Sequence, residues 1–230
     1  MKEFLSSSSY FGVLLSLAAY LIAVMLKWKL RYSFLNPLLV AIIITVLFVL
    51  LLNVDYAVYN SSARYLSFLL TPATICLAVP LYLRFDKLKR NAPAILIGVF
   101  SGVVTSALSI FVMAKLFRFS KEEFVTFLPK SITTAIGLSV CEELEGYVSI
   151  TVAAIIVTGV LGNIICEGVL KLFGITDPIA KGAAIGTASH AIGTSKAIEI
   201  GEVEGAISSL SVVVAGIMTV LISSLLAGLY

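Results

Sequence analysis

The sequence predicts an all-α polytopic membrane protein, and three observations predict it. Of its 230 residues, 60% are hydrophobic and only 13% charged. The mean hydropathy is +1.08, beyond the range of ordinary soluble domains. Several apolar runs approach the ~20 residues that cross a ~30 Å hydrocarbon core as a helix, about twice what a barrel strand needs.

The net charge of +3 comes from basic residues in short loops beside apolar runs, where they set orientation and meet lipid head groups. The expected surroundings are therefore a lipid bilayer, with no nucleic-acid partner. Cys76, Cys141 and Cys166 lie in or beside apolar runs without metal-ligand spacing and read as small hydrophobes. No metal and no cofactor is expected, apart from coupling to H+ or Na+.

Taken in order, the first apolar segment is 10–26. It lacks a basic leader beyond Lys2 and more spans follow, so it reads as a retained helix, not a removable signal peptide. Further segments cover 35–54, 65–83, 92–117, 124–141, 147–170, 178–198 and 205–229. Lys27, Lys29 and Arg31 after the first, and Arg84, Lys87, Lys89 and Arg90 after the third, place both loops in the cytoplasm and the N-terminus outside. Trp28 and Tyr32 fit the aromatic belt of the same interface.

Internal similarity suggests a duplication within a single transmembrane domain, 1–230. AIIITVL (41–47) resembles AIIVTGV (154–160), TPAT (71–74) falls on TASH (187–190), and SGVVT (101–105) falls on AGIMT (215–219). These matches define repeat one over 35–118 and repeat two over 147–230. The basic loop 84–90 corresponds to the acidic EIGEVEG (199–205), a charge reversal that suggests inverted repeats of three helices. On that scheme the C-terminus is cytoplasmic. Segment 124–141, interrupted by Pro129, Lys130, Ser131, Thr133 and Thr134, is then either a re-entrant hairpin or an additional span.

The polar stretch GTASHAIGTSKAIEIG (186–201) predicts a discontinuous helix. Asp177 and Pro178 supply an N-cap and first-turn proline, while Gly182, Gly186 and Gly193 weaken the helix that follows. A break over 186–195 would line a cavity, because unpaired backbone is tolerated in a membrane only when buried in protein. The second half-helix, capped by Thr194 or Ser195, suits a small anion, with Lys196 on its first turn, His190 in the break, and hydroxyls from Thr187 and Ser189. A matching break is expected near 71–80, where Thr71 and Pro72 open a half-helix. His190, an ionisable group inside a membrane, is the candidate proton-coupling residue. An intramembrane hydrolase using Ser189 and His190 is disfavoured, since adjacent helical residues point ~100° apart, and no enzyme activity is expected.

PKSITTAIG (129–137), DPIAKGAAIGTASHAIGTSKAIEIGEVEGAISSL (177–210) and NPLLVAII (36–43) resemble the LrgB/CidB family of antiholin-like proteins and plastid glycolate/glycerate translocators. The resemblance runs through nearly the whole chain. It implies a multi-pass cell-membrane protein moving small carboxylates such as glycolate, glycerate or pyruvate, or regulating cell lysis with a separate holin-like partner of the LrgA/CidA type. This sequence departs from the family pattern at Ala135, where proline is expected. It departs also at EELEG (142–146), where Gly-Gly is usual, and at NIICEG (163–168), where Gly-Pro is common.

On the leading reading, a carrier, Lys196 and the backbone of Gly193, Thr194 and Ser195 hold the carboxylate. Thr71, Thr74, Thr187 and Ser189 bind its other oxygens, and Lys130, Thr133 and Thr134 close the site. A homodimer would supply a fixed scaffold. On the alternative reading, the chain is an antiholin-like regulator of lysis acting with a holin-like partner.

Overall fold

The computed structural model describes residues 10–30, 37–69, 72, 75, 76, 82 and 85–230. The chain divides into two compact units, Met1–Cys76 and Leu77–Tyr230. Among the described residues every regular element is a helix. Four of them are long and apolar enough to cross a membrane: Phe11–Leu30, Lys89–Phe117, Val148–Leu172 and Glu202–Leu229. The protein is a multi-pass helical membrane protein.

The first unit holds α1 (Phe11–Leu30), α2 (Pro37–Leu51) and α3 (Tyr56–Phe68). Ala19 and Ala23 of α1 pack on Ala41 of α2. Helix α3 occupies sequence expected to be mostly loop. Asp55 caps it, accepting from Ala57 N at 2.9 Å. Its polar face meets α1 through Ser62 Oγ, which accepts from Gly12 N at 2.8 Å, and Tyr59 Oη, 2.8 Å from Ser16 Oγ. These tertiary bonds select a helix that hydropathy alone does not mark. Thr71 and Thr74, and with them the site expected of the 71–80 break, lie outside the described residues.

The second unit holds α4 (Phe85–Phe117), α5 (Lys121–Phe127), α6 (Thr134–Glu143), α7 (Val148–Leu172), α8 (Pro178–Ile200) and α9 (Glu202–Leu229). Ser120 starts α5 with a capping box: its Oγ accepts from Glu123 N, and Glu123 Oε2 accepts from Ser120 N. Helices α5 and α6 are the arms of a re-entrant hairpin. Lys121 and Glu122 at its start line one small cavity with Glu143, Leu144 and Glu145 at its end, and Tyr147 N donates to Thr126 Oγ1 at 2.8 Å. A segment whose two ends meet has not crossed the membrane, so the hairpin is the alternative observed.

Helix α8 is a second hairpin, and here the structure corrects the expectation of a broken spanning helix. Ser208 of α9 touches both Gly186 and Thr194, while Glu204 and Gly205 touch Gly182 and Ile198 respectively. Ile185 and Ala197 share one apolar cluster, although twelve residues of straight helix would hold them ~18 Å apart. The reversal is at His190, with φ 42° and ψ −144°. The arms, 178–189 and 191–200, are ~18 and ~15 Å long, about half a hydrocarbon core each. Thr176, Lys181, Lys196 and Ile200 accordingly line one cavity at the base.

This reversal changes the direction of α9. Ile95, Val99 and Val103 of α4 cluster with Ile207 and Ala215 of α9, and farther along Ile110 and Ala114 cluster with Ala227. Tyr230 Oη donates to Phe119 O at 2.7 Å. Helices α4 and α9 therefore run parallel and end together, so the C-terminal end lies at the Arg118 end of the unit. The sequence scheme put the two on opposite sides. It also matched 101–105 with 215–219 across an inversion, which requires antiparallel helices.

In a variant with Cys76, Cys141 and Cys166 replaced by alanine, single cysteines at Thr176 and Ile200 should react with a membrane-impermeant maleimide from the same face. A cysteine at Arg118 should react from the other. Labelling of 176 and 200 from opposite faces would restore a spanning α8.

Candidate functional site

Helix α4 and the first arm of α8 run side by side, and between them lies a cavity of about 700 Å³. Its α4 wall is the helical stripe Asn91, Ile95, Gly98, Gly102, Ser106 and Ser109, and its α8 wall is Ala180, Ala183, Ala184, Thr187 and Ala188. Small side chains at i, i+4 spacing leave the space open. One end lies at Asn91, in the second turn of α4, and at Asp177, the N-cap of α8. At the other end Lys130 and Ser131, in the turn of the α5–α6 hairpin, enter near the middle of α4.

Lys130 Nζ donates to Ser131 Oγ at 2.9 Å and to Ser106 Oγ at 3.3 Å. An ammonium has three donors, and both of these partners are neutral. Among the described residues no carboxylate pairs with it. Thr187 Oγ1 is buried on the same cavity wall and lacks a hydrogen-bond partner among the described residues. Leaving such a hydroxyl unsatisfied costs ~1–3 kcal/mol. An unpaired cation and an unpaired hydroxyl on one cavity suit an anion that carries further oxygen atoms.

The other residues expected at the site divide between different roles. His190 does not line this cavity; its ring lies over Gly159 of α7, with Nε2 3.0 Å from Ile155 O. Ser189 sits over Gly162, where any Cβ would collide with its hydroxyl, and no hydrogen bond among those described links it to His190. Thr194 Oγ1 donates to His190 O at 3.0 Å and lies 2.8 Å from Ser208 Oγ. Ser195 Oγ donates to Ile192 O at 2.7 Å. Gly193 packs on Ser189 and Ile185, closing the arms together. Lys196 is in the other cavity, at the base of the hairpin, 2.7 Å from Glu167 and 3.1 Å from Glu199. Thr133 is the N-cap residue of α6 and Thr134 its first residue.

The sequence signature of the LrgB-like family matches residues 16–229. The chain belongs to the LrgB-like family. Similar curated relatives are the antiholin-like proteins LrgB of Bacillus cereus (strains B4264 and AH187) and Bacillus anthracis (strain CDC 684 / NRRL 3495). Each is 38% identical over 214 residues, covering 93% of both chains. No solved structure matches significantly.

In this LrgB-like chain, sequence reasoning missed Ser106 and Ser131, which hold Lys130, and Asn163, whose Nδ2 donates to Ile192 O at 2.9 Å. It also missed Glu167, the partner of Lys196. Glu167 and Asn163 lie four residues apart on α7, a same-face spacing that could have marked them. The serines of α4 carry no such signal, since isolated hydroxyls are common in apolar helices.

Two stability effects of opposite sign follow. Thr187→Val removes the unsatisfied hydroxyl at nearly constant shape and should stabilise the ligand-free protein by ~1 kcal/mol. Gly162→Ala forces its methyl into Ser189 and should cost ~1–3 kcal/mol, whereas Gly168→Ala, whose methyl meets open space, should not destabilise. Thermal unfolding in detergent reads all three.

Proposed function

We propose that this LrgB-like protein is a secondary carrier of small monocarboxylates of the glycolate, glycerate or pyruvate type. The carrying observation is Lys130, a half-buried cation without a carboxylate partner at the end of a cavity large enough for such a molecule. The carboxylate would take the free donor direction of Lys130. Thr187 and the α4 hydroxyls would bind the neighbouring hydroxyl or carbonyl oxygen. Lys89 and Arg90, near the start of α4, would face the cytoplasm. That orientation puts the cavity mouth at Asn91 and Asp177 on the cytoplasmic side and the Tyr230 end outside.

The relatives' name favours a second reading more directly than the first: an antiholin-like regulator of cell lysis, assembling with a small holin-like membrane protein or a second copy of itself. That reading requires no substrate in the cavity. Uptake of radiolabelled glycolate into proteoliposomes separates the two.

A carrier should show saturable uptake. Lys130→Ala should raise KM ten- to a hundred-fold, the equivalent of a charge-assisted hydrogen bond of ~1.5–3 kcal/mol. Gly98→Leu should abolish uptake by filling a wall position that is open in the cavity. Folded protein without saturable flux, or dye leakage indifferent to both substitutions, would favour the regulator.

A further inference from the structure

We propose that Lys130 is also the proton-coupling group of the carrier: it crosses as an ammonium when a carboxylate is bound and as a neutral amine when the site is empty. This rests on the carrier reading above.

The geometry separates Lys130 from the two other candidate groups, Lys196 and His190. Lys196 is committed to Glu167 and Glu199 at the base of α8, so its charge is already compensated. His190 faces α7, with Nε2 donating to the Ile155 carbonyl. Neither lines the α4–α8 cavity.

Around Lys130 the neighbours are uncharged. Helix α4 presents Thr105, Ser106 and Ser109, the α8 arm presents Thr187 and Ala188, and its own turn presents Ser131. Among the described lining residues the other ionisable group is Asp177. It lies at the cavity mouth, ten residues or ~15 Å along the arm from Thr187, and its Oδ1 caps Ala180 N. Among the described residues of the second unit no counter-charge lies close to Lys130.

A cation moved through a low-dielectric barrier without a counter-ion is disfavoured, and burial favours the neutral form of an amine. Two ways of neutralising it remain. A bound carboxylate pairs with the ammonium, or the ammonium releases its proton to water in the open cavity. After the carboxylate leaves on one side, proton loss gives an amine that returns, and water on the first side restores the proton. One carboxylate and one proton move together per cycle, with no net charge transferred and no covalent bond formed or broken apart from the N–H exchanged with water.

Arginine separates binding from coupling, because its guanidinium binds carboxylates and stays protonated. Radiolabelled glycolate is the probe, in proteoliposomes containing the full chain. With Lys130→Arg, the ratio of glycolate–glycolate exchange to uptake driven by an acid exterior should rise at least tenfold over wild type, since loaded forms still cross while the empty, permanently charged form does not. His190→Gln should retain both. Wild-type uptake should acidify the lumen by one proton per glycolate and ignore a potential imposed with valinomycin.

Net uptake at the wild-type rate in Lys130→Arg would overturn the proposal. So would the exchange-only behaviour appearing in His190→Gln. If Lys130→Arg neither exchanges nor takes up glycolate, the wild-type protein decides: uptake that responds to the imposed potential overturns the proposal, and electroneutral acidification retained by His190→Gln supports it. Absence of all saturable uptake and exchange in wild type is a different result, which defeats the carrier reading itself.

Discussion

A chain that turns round inside a membrane must satisfy the backbone of its turn from within the protein, because hydrocarbon offers no partners. The second unit does this twice, and side-chain donors supplement the backbone around both reversals. At the tip of α8, Thr194 donates to His190 O, and Asn163 and Ser195 both donate to Ile192 O. In the first hairpin, Thr151 Oγ1 donates to Thr126 O at the end of α5. His190 adopts a backbone conformation that costs a residue with a Cβ ~1–3 kcal/mol. Its ring bond to α7 and the close approach of Gly159 hold it there. Much of the polar stretch 186–201 is thus explained by the requirements of a turn.

That explanation narrows where a ligand can act. Inside a membrane a lone charge costs ~2.5–3.5 kcal/mol even by permissive scales, so paired and unpaired lysines mean different things. Lys196, between Glu167 and Glu199, ties the second arm of α8 to α7 and has its charge compensated in place. Among the described residues Lys130 has only hydroxyl partners. Both lysines are visible in the sequence as cations in polar interruptions of apolar runs. What distinguishes them is a carboxylate on another helix, and a single chain of letters does not reveal which helix comes near.

The same limit governs the fold. Helical class, the Asp177–Pro178 start of α8 and the interruption within 186–195 were legible, since hydropathy, capping and glycine content act locally. Whether an interrupted helix bends or reverses was not, because both use the same residue types. Gly182 and Gly186 contributed to the expectation of a break, yet they are helical and serve close packing on Glu204 and Ser208. The positive φ falls on His190 instead. One misread reversal then inverted the direction of α9 and the side on which its end emerges. Helix α3 was hidden for the opposite reason: its stabilising contacts with α1 are polar, and polar content reads as loop.

The two ends of the α4–α8 cavity differ physically. At Asn91 and Asp177 exposed residues surround it, but beyond Ser109 and Lys130 the space is filled by Phe111, Phe124 and Tyr230, with Phe124 and Tyr230 stacked at 4.3 Å between centroids. Lys115 Nζ lies 3.8 Å over the Tyr230 ring, and the Tyr230 hydroxyl bonds the end of α4. Aromatic pairs of this kind contribute ~0.5–1.5 kcal/mol beyond area burial, and a cation over a ring adds a similar amount. The aromatic cluster closes the space past Lys130, while the groove itself is open along the exposed Ala94, Gly98, Thr105, Ala184 and Ala188. Access past the aromatic end requires separating Phe124 of the first hairpin from Tyr230 of α9. Lys130 lies six residues from Phe124 on that same hairpin, so the contact that closes the far end is mechanically continuous with the residue that would hold the anion.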